Sequence, residues 1–274
     1  MSSIKIPLEK IIIGTASWGS KISYNEANNI AKQLITNGFD LFDTAPNYGS
    51  GYSQNIINNI LTKKKVSVNT KFGQKINFSI REFLKRIYRF NNFKSFINSN
   101  LNLFNYSFNR NDEFWSVLNL DKNFKKIKND LNNCLIKTFF LHSPSNKFLT
   151  SKYLSDFSKF CILNNITCGV SNVSDDIFPY LMSNHKNFVF QMSLTQYFKH
   201  EKIITNNNMI HINSIYSSKY LQNRVSIKNY DEDIFKYFLN KSHVKLILGI
   251  NSKESVKKLL YKINQGLLNE DTKN

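Results

Sequence analysis

The sequence predicts a closed α/β barrel of eight strand-helix units. Eight short apolar runs alternate with longer amphipathic segments, the pattern of parallel strands joined by helices. The chain has 274 residues, close to the roughly 250 that eight such units typically need. Side chains capable of chemistry sit at the carboxyl ends of several runs, the rim on which barrels of this kind build their sites. Together these define a (β/α)8 TIM barrel, with an insertion between the third strand and the third helix.

The expected strands, in order, are Ile11 to Gly14, Leu41 to Thr44, Val66 to Lys71, Thr138 to Leu141, Thr167 to Val170, Val189 to Met192, Met209 to Ile215 and Val244 to Gly249. Fully buried parallel strands read as such unbroken apolar runs. The expected helices are Asn25 to Asn37, Ser53 to Leu61, Asn123 to Leu135, Lys152 to Asn164, Ser174 to Met182, a segment near Phe198 to Asn206, Asp231 to Asn240 and Lys253 to Asn264. Ser174 and Asp231 are expected as N-caps. The spacing breaks once: about 70 residues separate Lys71 from His142, more than a single crossover needs. The excess, residues 78–115, begins with the basic amphipathic SIREFLKRIYRF and continues as the Phe- and Asn-rich SFINSNLNLFNYSF. Long βα loops of barrels lie on the active-site rim, so it is read as an insertion there; a helix packed on the barrel exterior fits the same pattern. The whole chain, 1–274, is read as a single domain.

Composition excludes several classes. No apolar run approaches the ~20 residues of a membrane span. The start, MSSIKIPLEKIIIG, lacks a signal-peptide layout. Cys134, Cys161 and Cys168 are odd in number and show neither paired nor metal-ligand spacing. A reducing cytoplasm is therefore the expected compartment, and no metal is expected. The net charge of +18 accompanies 40 Asn and only four Ala, with the lysines dispersed along the chain. That is a compositional bias rather than the clustered stripe of a nucleic-acid binder.

Four residues carry the chemistry. Asp43 in LFDTA, Lys71 in NTKFG and His142 in FFLHSP end successive strands, and Tyr48 follows Asp43 by five residues. A carboxylate at a buried strand end needs a positive or hydrogen-bonding partner, and Lys71 lies on the same rim. An ammonium near a phenol favours the phenolate, so Lys71 is expected to lower the Tyr48 pKa from about 10. A tyrosine so placed donates a proton to a carbonyl oxygen or accepts one from an alcohol. His142 can hydrogen-bond the same oxygen.

In chain order, GTASWG, FDTAPNYGSGYS, NTKFG, FFLHSP, GVSN and LGINSKESVKKLL resemble the aldo-keto reductase family, and DTAPxYGxGxS is most similar to its aldose-dehydrogenase-like members. The resemblance implies a barrel that binds NADP or NAD without a GxGxxG motif, NADP being slightly favoured. It assigns Tyr48 as the general acid/base, Asp43 and Lys71 as the pair that tunes it, and His142 as the substrate-orienting residue. Ser171, Asn172 and Gln191 would hold the nicotinamide carboxamide, with Tyr216 stacking on its ring and Ser217 beside it. Gly14, Thr15, Ala16 and Asp43 would line the cofactor site from the first two strands. Gly249, Asn251, Ser252, Lys253, Ser255 and Lys257 would form a clamp for the adenosine phosphate, with a helix N-terminus supplying backbone donors. Ser255 stands where the family often has Arg or Gln, and Lys253 and Lys257 offer replacement cations.

The implied function is hydride transfer between a nicotinamide and a carbonyl or alcohol, with a sugar preferred over an aldehyde as substrate. A catalytically inactive, nucleotide-binding regulatory protein of the same fold would be expected to have lost one of the four residues, and all four are present. A membrane or nucleic-acid binder would use Arg81, Lys85, Arg86, Arg89 and Lys94 as one cationic face. A solvated helix with its apolar side on the barrel explains the same face and is favoured, so neither partner is expected. The sequence is silent on oligomeric state.

Overall fold

The computed structural model describes residues 7–60, 65–73, 117–215 and 230–265. The strands are β1 (Ile11–Gly14), β2 (Leu41–Asp43), β3 (Ser67–Phe72), β4 (Leu135–His142), β5 (Thr167–Ser171), β6 (Val189–Ser193), β7 (Met209–Asn213) and β8 (Val244–Gly249). They pair in chain order, all parallel, and β1 closes on β8. The helices are α1 (Tyr24–Thr36), α2 (Tyr52–Asn58), α3 (Val117–Asp130), α4 (Ser151–Leu163), α5 (Phe178–Asn184), α6 (Leu194–His200), α7 (Tyr230–Leu239) and α8 (Lys253–Gln265). The expected barrel is therefore the observed one. Residues 78–115, the expected insertion, lie outside the described residues.

Helix α1 shows why these segments take up their places. Ser23 caps it by accepting the Glu26 amide at 3.2 Å. Ala27, Ile30, Ala31 and Leu34 then recur at helical spacing and are all buried. Helices α4 and α6 begin likewise, on Thr150 and Ser193.

Two cores result from strand alternation. Ile13, Phe42, Val68, Phe139, Leu141, Phe190 and Leu248 face outward into one continuous cluster with the helices. Ile12, Phe140, Val189 and Ile247 are also buried but stand apart from it, inside the barrel. Phe140 lies against Gly169 of the next strand. A Cβ there would meet the Phe140 ring at 2.5 Å and the Val189 carbonyl oxygen at 2.7 Å, so only glycine leaves the ring its place.

Some element limits differ from expectation. Helix α3 spans Val117–Asp130, not Asn123 to Leu135, and β4 begins at Leu135, earlier than Thr138. The pair Asn132-Asn133 breaks the helix there, and Asn133 bonds the Asn58 carbonyl and side chain instead. Ser174 does not cap α5, which starts at Phe178 with a proline in its first turn. The Ser174 hydroxyl donates to Asn146 Oδ1 at 3.2 Å. Helix α6 starts at Leu194, ahead of the expected Phe198, because Ser193 caps it. Strand β7 ends at Asn213 rather than Ile215, since Ser214 turns to φ +56°. Asp231 falls inside α7 rather than before it. No described helix is long and apolar enough to cross a membrane.

Candidate active site

Strand ends β1, β2 and β3 are stitched together by short bonds. Thr15 donates from its amide and its hydroxyl to the Asp43 carbonyl, at 3.1 and 2.9 Å. The Thr44 amide donates to the Asn69 carbonyl at 2.9 Å. The hydroxyls of Thr15 and Thr44 share Ser53 Oγ, at 2.6 and 2.9 Å, in a fully buried cluster. Tyr48 is presented by the next turn, which the adjoining glycine makes possible. Gly49 has φ +52°, and a Cβ there would lie 2.0 Å from the Trp18 carbonyl oxygen. The YG pair thus lets the β2 loop rest directly on the β1 loop.

Four of the expected residues meet at this rim. Lys71 Nζ donates to Asp43 Oδ1 at 2.6 Å and lies 3.4 Å from the Thr44 carbonyl. Both partners are almost fully buried. Gln191 reaches across from β6 and donates its amide to the same Oδ1 at 3.0 Å. Lys71 Nζ also lies over the Tyr48 ring, 5.1 Å from its centroid, within cation–π range. The His142 ring meets the Tyr48 ring edge-on, with centroids 6.1 Å apart and planes at 86°.

Burial sets the protonation states. It pushes the Asp43 carboxyl up, opposed by the charge and hydrogen bond of Lys71 and by Gln191. It pushes the Lys71 ammonium down, opposed by Asp43. His142 is lowered to about 3 by burial and by the Lys71 charge, so its imidazole is neutral. Tyr48 is raised well above the usual phenol value, by burial first and the Asp43 charge second. This corrects the expectation that Lys71 depresses Tyr48. The ammonium is tied to Asp43 and faces the ring, so the phenol stays protonated.

A cavity of about 530 Å³ opens beside this cluster. Of the expected residues, Gly14, Thr15, Ala16, Asp43, Tyr48, Asn172, Gln191, Gly249 and Asn251 line it. Lys71 and His142 contact the Tyr48 ring and are not among the lining residues. Ser171 is the register partner of both His142 and Gln191. Its hydroxyl and Gln191 Oε1 are buried without a hydrogen-bond partner, an uncommon state for buried polar atoms. Asn172 holds φ +54°, as Ser143 and Ser214 hold similar values after β4 and β7. Backbone strain of this kind concentrates on functional rims.

Ser252, Lys253, Ser255 and Lys257 are not in that wall. Ser252 and Ser255 instead cap α8 reciprocally. Ser252 Oγ accepts the Ser255 amide at 3.1 Å, and Ser255 Oγ accepts the Ser252 amide at 3.0 Å. The Asn251 amide also reaches Ser255 Oγ, at 3.3 Å. Three backbone donors expected for a phosphate are thus already engaged. Lys253 and Lys257 remain exposed. Tyr216 and Ser217 lie outside the described residues. Ser17, Lys21, Asn213, Ser214 and Ile247 line the cavity without having been expected. Strand alternation marks Ile247 and Gly249 as facing one way, but the loop residues carry no such signal.

Residues 10–148 match the family profile described as "Aldo/keto reductase family". No curated protein sequence matches the chain significantly. Among solved structures, it is similar to the holo form of aldo-keto reductase AKR11C1 from Bacillus halodurans, at TM-score 0.63 and 15% identity over 96% of this chain and 89% of that one. An aldo-keto reductase from Klebsiella pneumoniae in complex with NADPH gives TM-score 0.61 and 12% identity, covering 99% and 93%. The glycerol dehydrogenase AKR11B4 from Gluconobacter oxydans gives 0.58 and 15%, covering 98% of each.

Proposed function

The chain belongs to the aldo/keto reductase family of oxidoreductases, and from that premise we propose that it is an NAD(P)-dependent enzyme that interconverts a carbonyl and an alcohol, with Tyr48 as the proton donor and acceptor. One observation carries this reading: the buried Lys71–Asp43 pair lies against the Tyr48 ring, with His142 on its edge, at the wall of a cavity.

A nicotinamide dinucleotide, when bound, supplies or takes up the hydride. The residues present suit it. Ser171 Oγ and Gln191 Oε1 are unsatisfied polar atoms of the kind a carboxamide would engage. Gly249 faces open space, where its missing side chain leaves room for a ligand. Lys21 adds an exposed cation to the cavity wall, suited to a phosphate. NADP is slightly favoured over NAD, because Lys253 and Lys257 stand free near the start of α8; Ser252 and Ser255 serve the helix cap.

Tyr48 holds its proton because burial and the Asp43 carboxylate both oppose the phenolate. That state supports reduction, in which the phenol protonates the nascent alkoxide. Neutral His142 orients the carbonyl oxygen by hydrogen bonding rather than by charge. Asp43 keeps Lys71 fixed beneath the Tyr48 ring, which holds the phenol in place at the cavity wall. The preferred substrate is a sugar, and after it an aldehyde, on the strength of the DTAPxYGxG sequence.

The test is a fluorescence titration with NADPH and NADH, followed by a panel of aldoses and aldehydes with the tighter cofactor. Saturable binding and turnover of at least one carbonyl are expected. Failure of both cofactors to bind would overturn the proposal, as would binding with no turnover across the panel.

A further inference from the structure

The opposite end of the barrel holds a second cavity of about 600 Å³, which shares no lining residue with the first. Its inner wall includes Asn69 of β3 and His211 of β7. Asn69 is fully buried, and neither its Nδ2 nor its Oδ1 has a hydrogen-bond partner. His211 is 4% exposed, and its Nδ1 is likewise unpartnered. Three unmet polar atoms in one wall is a costly arrangement unless something fills the space, since a buried polar group without a partner has lost its hydration for nothing in return.

The charges above those two residues indicate what fills it. Lys65, Lys137 and Lys245 all line the cavity, and none forms an ion pair among the described residues. They come from the start of β3, from β4 and from β8, so cations border the mouth on two sides; Lys65 and Lys137 are exposed. Lys245 is half-buried and is the register partner of His211. Glu9 and Asp40 also border the opening, so its described lining carries three cations and two anions. Water can satisfy Asn69 and His211, but an anion also pairs with the half-buried Lys245 ammonium.

We propose that this amino-terminal cavity binds a small anion, phosphate or carboxylate, with the Lys245 ammonium and the Asn69 amide as its principal donors and His211 lining the inner end. Lys65 and Lys137 draw the anion to the mouth. The cavity is separate from the site of carbonyl chemistry, and Phe140 lies between the neighbours of the two. Its ring centroid is 5.6 Å from Lys71 Nζ and 5.8 Å from the His211 ring.

The experiment is isothermal titration calorimetry of the whole chain at low ionic strength, with inorganic phosphate in one arm and succinate in the other. A single saturable site is expected for at least one anion, and the arm that binds identifies the chemistry. Lys245→Met and Asn69→Leu should each weaken it at least tenfold, whereas Lys32→Met on the exposed side of α1 should leave it unchanged. If Asn69→Leu does not fold, the His211 imidazole resonances replace it. They should shift on titration in the native chain and stay still in Lys245→Met. Absence of saturation with both anions, or equal affinity in native and Lys245→Met proteins, would overturn the proposal.

Discussion

The two ends of the barrel treat buried polarity in opposite ways. At the carboxyl rim the buried charges of Asp43 and Lys71 pair at 2.6 Å, and the Gln191 amide adds a bond to Asp43 at 3.0 Å. At the amino end Asn69, two residues earlier on the same strand as Lys71, keeps its whole side-chain amide unpaired. Alternation along β3 points both side chains inward, so one strand serves both ends. Between them Phe140, seated on Gly169, fills the middle of the barrel. Burial is similar at the two ends, but only the rim has a buried ion pair among the described residues. That contrast is why we propose the rim as the reaction site and the other end as an anion receptor.

The comparison is broken most severely at the rim. Lys71→Met would strand the Asp43 carboxyl, buried with Gln191 as its remaining side-chain partner. A loss of about 3–5 kcal/mol in urea unfolding is expected, together with loss of turnover. A smaller loss, about 2 kcal/mol, is expected from Gly169→Ala, because the Val189 carbonyl cannot yield to the new methyl. Calorimetric melting measures it, and an unchanged midpoint would mean that Phe140 is not wedged there.

The amino end is probed by acid. His211 is lowered to about 3 by burial and by the charges of Lys245 and Lys71, against roughly 6.5 in the unfolded chain. The unfolded state therefore binds more protons between those values, and stability falls as pH drops below about 6.5. At pH 5.5 the contribution lost is roughly 1 kcal/mol. His142, shifted the same way, adds to the trend. In His211→Gln the fall should be shallower, read from urea midpoints at pH 7.5 and 5.5.

Much of the fold was legible in the sequence because buried parallel strands leave unbroken apolar runs, and all eight were found within a few residues. The helix starts that went astray at α5 and α6 depend on which side chain takes the cap. Ser174 looked like one but bonds Asn146, while Ser193 did the work unnoticed. At the site, residue identities and their meeting at one rim were legible from DTA, YG, TKFG and LHSP. The sign of the Tyr48 shift was not, because it is set by burial and then by the Asp43 charge, which spacing along the chain does not reveal. Asn69 and His211 were invisible, since an inward polar residue in a strand shows no sequence sign of having lost its partner.

The most direct measurement is kcat/KM for carbonyl reduction by Tyr48→Phe, alongside its affinity for NADPH. Phenylalanine keeps the ring that Lys71 and His142 contact and removes only the proton donor. A fall of at least about a hundredfold is expected, with cofactor affinity and melting temperature unchanged. Undiminished turnover in that variant would contradict the assignment of proton transfer to Tyr48.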